Sequence, residues 1–216
     1  KLKQNYIDNG VDALWFDEAE PEIHPEHFDN LIWYKGRADM VALLYPYYYS
    51  KMAYDGFKSI GRDDIITLTR CAYLGSQKFG SLVWSGDIES TFESLACQVK
   101  AGLNMSMCGI PWWNTDIGGF YGADITSDYF KELIVRWFQF GLFSPVMRLH
   151  GSRNRHFEPT PGLKEPSGDP NEIWSFGEEN FEILKNLIFI REKLRPYIKS
   201  QMDIASEKGY PVMRPM

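Results

Sequence analysis

A chain of 216 residues that is 44% hydrophobic is long and apolar enough to enclose a core, and it shows no disordered or low-complexity composition. A net charge of −6 and a pI near 5.3 provide no basic field for a phosphate backbone, which excludes nucleic acid as a partner. Three cysteines, Cys71, Cys97 and Cys108, without a C-x-x-C spacing argue against a disulfide framework or a structural zinc site, and no apolar run approaches the roughly 20 residues of a membrane-spanning helix.

The chain reads as soluble, with the cytoplasm favoured over export because no signal segment is visible in it. It begins Lys1-Leu2-Lys3-Gln4, and Tyr210 to Met216 reads as the start of a further β-domain, residues 210–216, after a main portion over 1–209. The remaining domains of a longer parent chain are therefore expected partners. A homo-oligomer stays open.

In chain order, residues 2 to 9 read as helix with Gly10 as the stop. Val11, Ala13, Leu14, Trp15 and Phe16 form a nearly continuous apolar run, the signature of a strand covered on both faces. That run empties into Asp17-Glu18-Ala19-Glu20-Pro21-Glu22. Pro25 to Gly36 reads as loop and short helix, Ala38 to Ile60 as one helix, Ile65 to Arg70 and Ser81 to Trp84 as strands. Helical spacing of Phe92, Leu95, Ala96, Val99 and Leu103 is followed by an expected strand over Met105 to Pro111. A helix is expected over Ser127 to Phe140, a strand over Ser144 to Leu149, a loop over Gly151 to Trp174, and a long helix over Gly177 to Lys208 kinked at Pro196. Strands alternating with helices imply a parallel α/β sheet, either open or the latter part, about strands 4 to 8, of a (β/α)₈ TIM barrel.

Chemistry in such folds sits at the carboxyl ends of the strands. Asp17 occupies that position, as a working carboxylate or as part of a solvated turn. Asp87, after Ser81 to Trp84, is a second carboxylate in the same setting, as an acid beside the apolar wall of Trp84 or as a turn residue after Gly86. Two such carboxylates meet the needs of glycoside hydrolysis. Arg70 ends its strand where a guanidinium can grip sugar hydroxyls or pair with an acid. Asp116 lies among Trp113, Gly118, Gly119 and Phe120, and His150 is a ligand donor, a base or a cap. His24 and His27 with Glu22 and Glu26 have the wrong spacing and context for a metal site on one helix face. No dinucleotide, P-loop or nucleophile-elbow motif occurs.

Taken together, Trp15-Phe16-Asp17-Glu18-Ala19-Glu20-Pro21-Glu22, Arg70-Cys71-Ala72-Tyr73-Leu74-Gly75, Trp84-Ser85-Gly86-Asp87, Asn114-Thr115-Asp116-Ile117-Gly118-Gly119-Phe120, and Arg136-Trp137-Phe138-Gln139 with Met147-Arg148-Leu149-His150-Gly151 resemble the successive strand-end signatures of glycoside hydrolase family 31, the family of α-glucosidases and α-xylosidases. The resemblance runs from Gly10 to Gly151. It implies that Asp17 is the nucleophile and Asp87 the acid/base of a retaining α-glycosidase. It further implies that Glu20 supports the nucleophile region, that Trp84 lines the site, that Arg70, Asp116 and His150 hydrogen-bond the innermost sugar, and that Trp15 and Phe120 shape its wall. Neither cofactor nor metal is called for. The earlier barrel strands, one carrying a further sugar-binding aspartate, have no counterpart here, and of the family's flanking β-domains only the run-out at Tyr210 to Met216 gives a hint. Trp15 and His150-Gly151 lean toward α-xylosidase. The alternatives are α-glucosidase, α-galactosidase, a transglycosylase of the family, or a non-catalytic carbohydrate-binding fragment.

Overall fold

A computed structural model describes residues 1–18, 20, 29–153 and 170–216, and within it the chain forms two units, Lys1–Trp84 and Ser85–Met216. The first opens on α1 (Leu2–Asn5) and a 3₁₀ turn over Ile7–Asn9, which Gly10 ends in the left-handed region at φ 89°, as expected of its place before an apolar run. Strand β1 (Leu14–Phe16) follows, shorter than the apolar run from Val11 suggests. Over the stretch where loop and short helix were expected, the described residues carry 3₁₀ backbone at 29–30 and then an antiparallel hairpin, β2 (Ile32–Trp33) and β3 (Gly36–Arg37). β-Favouring Ile32 and Trp33 form its first strand, Trp33 and Gly36 flank the two-residue turn, and the Trp33 ring packs 5.9 Å from that of Tyr45.

The expected helix over 38 to 60 is divided into α2 (Ala38–Val41), a 3₁₀ turn over Ala42–Leu44, and α3 (Tyr45–Ser59). Pro46 accounts for the break, because it has no N–H to return to the Ala42 carbonyl, and it is tolerated only in the first turn of a new helix. Strands β4 (Thr67–Thr69) and β5 (Ser81–Trp84) complete a parallel set in which β4 lies between β1 and β5. Phe16 is level with Thr69, and Thr69 with Val83. One residue further along each strand come Asp17, Arg70 and Trp84, so the register delivers all three to the same carboxyl edge.

In the second unit, α4 (Phe92–Met107) is capped by Thr91, whose Oγ1 accepts the Ser94 N–H at 3.0 Å. The strand expected over 105 to 111 is corrected: Met105 to Met107 are the last turn of this helix, and the Cys108 N–H still returns to the Asn104 carbonyl at 3.0 Å. The strand of this region is β6 (Trp113–Asn114). Next comes α5 (Asp128–Gly141), where Ser127 Oγ accepts the Phe130 N–H at 3.2 Å. The strand expected over 144 to 149 is present only as a single parallel bridge, Leu149 to Ile117. Pro145 cannot donate to a ladder, and the Arg191 guanidinium takes the carbonyls of Leu142, Ser144 and Pro145 at 2.7, 2.6 and 2.9 Å. Those acceptors are satisfied by a side chain instead of a strand.

The final helix, α6 (Glu178–Lys208), runs through Pro196 and stops at Gly209, φ 72°. Residues 210–216 continue without helix or strand. The core of the second unit is the face of α5 bearing Leu133, Ile134, Trp137 and Phe138, spaced as one helical stripe, packed with Leu184 and Leu187 of α6 and with Ile117 and Phe176. Each such side chain contributes about 1.5–3 kcal/mol through burial. Among the described residues no helix is long and apolar enough to cross a membrane.

Leu184 is fully buried at this helix contact. Leu184→Ala is expected to cost about 2–5 kcal/mol through lost burial and the cavity left behind, read as a lower urea midpoint at unchanged slope.

Candidate active site

At the carboxyl edge of the first unit, the Asp17 side chain is 48% exposed. The next residue, Glu18, adopts φ 53°, a left-handed conformation uncommon for a residue with a side chain. Its N–H donates to Asp17 Oδ1 at 2.8 Å. Arg70, delivered level with Asp17 by the parallel register, places Nη1 3.6 Å from Asp17 Oδ1 and turns Nε to Glu20 Oε1. Of the two sequence readings of Arg70, ion pairing is what these groups display. One guanidinium lies between two carboxylates and fixes both.

Tyr49 of α3 donates its hydroxyl to the Asp17 carbonyl at 3.3 Å, and its ring meets Phe16 edge-on at 5.8 Å. Burial, then the neighbouring Tyr45 and Asp17, raise the Tyr49 phenol above its ordinary pKa. Trp15, 49% exposed, stands edge-on at 5.6 Å to Trp84, which is 1% exposed. A buried ring thus props an accessible one. Cys71, beside Arg70, has its thiol pushed up to about 12 by burial, with the Glu20 carboxylate adding and Arg70 opposing. Glu22, His24, Glu26 and His27, weighed as a metal set, lie outside the described residues.

In the second unit, Asp87 sits on an exposed turn after Gly86, φ 74°. Asp116 is completely buried and paired with Arg148. The Ile117 N–H donates to the Arg148 carbonyl at 3.2 Å, so main chain and side chain hold the same two segments together. Gly119, φ 75°, passes so close to the 89–90 backbone that a Cβ would stand 2.6 Å from Ser90 Cα. The turn delivers Phe120, whose ring stacks on His150 at 5.6 Å and 30°. Ser85 Oγ donates to Thr115 Oγ1 at 3.1 Å.

Tyr49, Arg148 and Arg153 carry weight that sequence reasoning did not assign. Arg148 had a signal, since two residues before His150 puts it on the same side of an extended segment. Tyr49 was hidden among Tyr45, Tyr47 and Tyr48. Arg153, 2% exposed, stands in a Pro- and Gly-rich stretch that reads as solvated loop.

Parallel strands that deliver an acid, a guanidinium and a tryptophan to one carboxyl edge are the arrangement of an α/β-barrel domain. The family model for the TIM-barrel domain of glycosyl hydrolases family 31 matches residues 1–201, and the chain belongs to that family. It is 47% identical over 152 residues to an uncharacterized family 31 glucosidase, ORF2, of Pseudescherichia vulneris, covering 70% of this chain and 29% of that protein. It is 35% identical over 220 residues to an alpha-xylosidase of Saccharolobus solfataricus, covering 99% of this chain and 28% of that protein. Among solved structures, it superposes on a GH31 alpha-xylosidase from a soil metagenome complexed with xylose with a TM-score of 0.92 and 48% identity, covering 99% of this chain and 32% of that one. The chain thus spans about three-tenths of the length of the curated relatives it matches.

Two outcomes follow from this geometry. Arg148→Met strands the buried Asp116 carboxylate without this guanidinium and is expected to destabilise the domain by about 3 kcal/mol, measured by denaturant unfolding at neutral pH. Alkylation by iodoacetamide at pH 8 should modify the exposed Cys97 and Cys108 well before Cys71, whose thiol near 12 leaves almost no thiolate there; peptide mapping against time checks the order.

Proposed function

We propose that the protein carrying this domain is a retaining α-glycosidase that removes a terminal α-linked xylose. The observation that carries the reading is the likeness, at 48% identity over 99% of this chain, to an alpha-xylosidase solved with xylose. In this reading an Asp17 carboxylate oxygen attacks the anomeric carbon while the glycosidic C–O bond breaks, and the Asp87 carboxyl gives its proton to the leaving oxygen. Asp87, now a carboxylate, takes a proton from water, whose oxygen attacks the same carbon and frees Asp17. Two inversions give net retention, and the scheme asks for the carboxyl groups about 5–5.5 Å apart.

The remaining groups hold and shape. The Glu18 N–H and Arg70 fix the Asp17 carboxylate, so its attacking oxygen needs little reorganisation. Glu20 holds Arg70 from the other side. Arg70 and His150 hydrogen-bond the sugar and Trp15 and Phe120 form its walls, while the buried Asp116, through Arg148, and the buried Trp84, against Trp15, support them from behind instead of touching the sugar. An oligosaccharide or glycoside is the substrate, and the further domains of the longer protein complete the barrel around it.

A second reading, α-glucosidase, is favoured by the 47% identity to a family 31 glucosidase. Xylose and glucose differ by one hydroxymethyl group, a difference worth about 1–3 kcal/mol in a fitted pocket. Comparing kcat/KM on p-nitrophenyl α-xyloside and α-glucoside decides between them, with a preference of about tenfold or more for xyloside expected. Asp17→Ala is expected to lower kcat by about 10⁴-fold or more, and trapping with a 5-fluoro-glycosyl fluoride should label the peptide holding Asp17; label on another carboxylate, or none, overturns the assignment.

A further inference from the structure

Arg153 is the most heavily engaged buried cation of the second unit among the described residues. Its Nη1 donates to the Gly119 carbonyl at 2.8 Å and reaches the Gly118 carbonyl at 3.4 Å and Ser90 Oγ at 3.3 Å, while Nη2 reaches the Ile117 carbonyl at 3.4 Å. Nε donates to Asn171 Oδ1 at 2.7 Å, and the guanidinium carbon lies 4.8 Å over the Phe130 ring. The fork therefore ends in main-chain acceptors of the Asp116–Phe120 turn, with its flat face on the helix core.

The backbone around it is shaped to that group. A Cβ on Gly118 would come 2.8 Å from Arg153 Nη2, and one on Gly151 would come 2.8 Å from Arg153 Cζ and 2.6 Å from the Gly119 carbonyl oxygen. Three loops converge here. The loop after Asp87 returns the Ser90 N–H to the Tyr121 carbonyl at 2.9 Å, and the Phe120 N–H donates to the Ile88 carbonyl at 2.7 Å. The loop after His150 sends the Ser152 N–H to the Phe120 carbonyl at 2.6 Å, and Ala123 bridges Arg153 in parallel. The middle loop carries Asp116 and Phe120.

We propose that Arg153 is a positioning residue whose guanidinium holds the loops bearing Asp87, Asp116 with Phe120, and His150 in one register, and so sets the geometry of the sugar site without touching the sugar. The proposal rests on the glycosidase reading above. Burial lowers the Arg153 pKa to about 10, with the Asp116 carboxylate opposing, so the group is still a cation at neutral pH. A lysine keeps that charge but not the planar fork, so it serves one acceptor where the guanidinium serves several. A loop displaced by about 1 Å is enough to lower turnover about a hundredfold.

The test compares wild type, Arg153→Lys and Asn171→Ala in the full-length protein, with kcat and KM on p-nitrophenyl α-xyloside expressed per site titrated by 5-fluoro-xylosyl fluoride. Arg153→Lys is expected to lose about a hundredfold in kcat/KM per titrated site, with KM raised as well as kcat lowered; Asn171→Ala, which leaves the guanidinium but loosens it, about tenfold. Arg153→Lys within threefold of wild type per titrated site, or a loss accounted for entirely by fewer titratable sites, overturns the positioning role and leaves the glycosidase reading standing. Should Arg153→Lys fail to fold, an unchanged kcat/KM in Asn171→Ala overturns it equally. A wild-type protein that turns over no α-glycoside fails the reading itself, and the proposal with it.

Discussion

Charge removed from water at the strand ends is the constraint on which this domain depends. Asp116 is wholly buried, and a carboxylate in that position is tolerable only with a cation and donors around it. Arg148 supplies the cation, and the Ile117 N–H to Arg148 carbonyl bond fixes the segment that brings it. The Asp17–Arg70–Glu20 set in the first unit follows the same rule with more water present, because Asp17 stays half exposed. In both units an arginine is held by a rigid scaffold before any ligand arrives. Groups held in this way need little reorganisation when charge develops beside them.

The scaffold has a division of labour. In the first unit the parallel register alone delivers Asp17, Arg70 and Trp84 to one edge. In the second, strand pairing among the described residues is sparse: β6 spans two residues, and the rest is isolated bridges. Side chains take over what ladders do elsewhere. Arg191 collects the carbonyls at the end of α5, and Arg153 those of the turn after Asp116. Guanidinium groups suit this task because their donors are fixed in one plane and can serve several acceptors at once. The helix pair α5 and α6 provides the packed backing.

Much of this was legible from the chain alone. Apolar runs ending in charge locate β1, β4 and β5, and the ordered strand-end motifs point to family 31. Misreadings cluster where a local pattern was overridden. Met105 to Met107 are apolar enough for a strand, yet they extend α4 by unbroken helical hydrogen bonding. Ser144 to Leu149 has strand composition, but Pro145 and the distant Arg191 leave no ladder to join. Arg191 and Arg153 act on carbonyls tens of residues away, a pairing that no periodicity encodes. The hairpin at β2 and β3 is too short, at two residues per strand, to leave a period.

The crowding about Gly118, Gly119 and Gly151 bears on how the domain tolerates change. With main-chain atoms or a guanidinium standing under 3 Å from any added methyl at all three places, that stretch has no room for sequence drift. Change is channelled onto the side chains that project from it, Phe120 and His150 foremost. A substitution library does best to leave these three codons fixed.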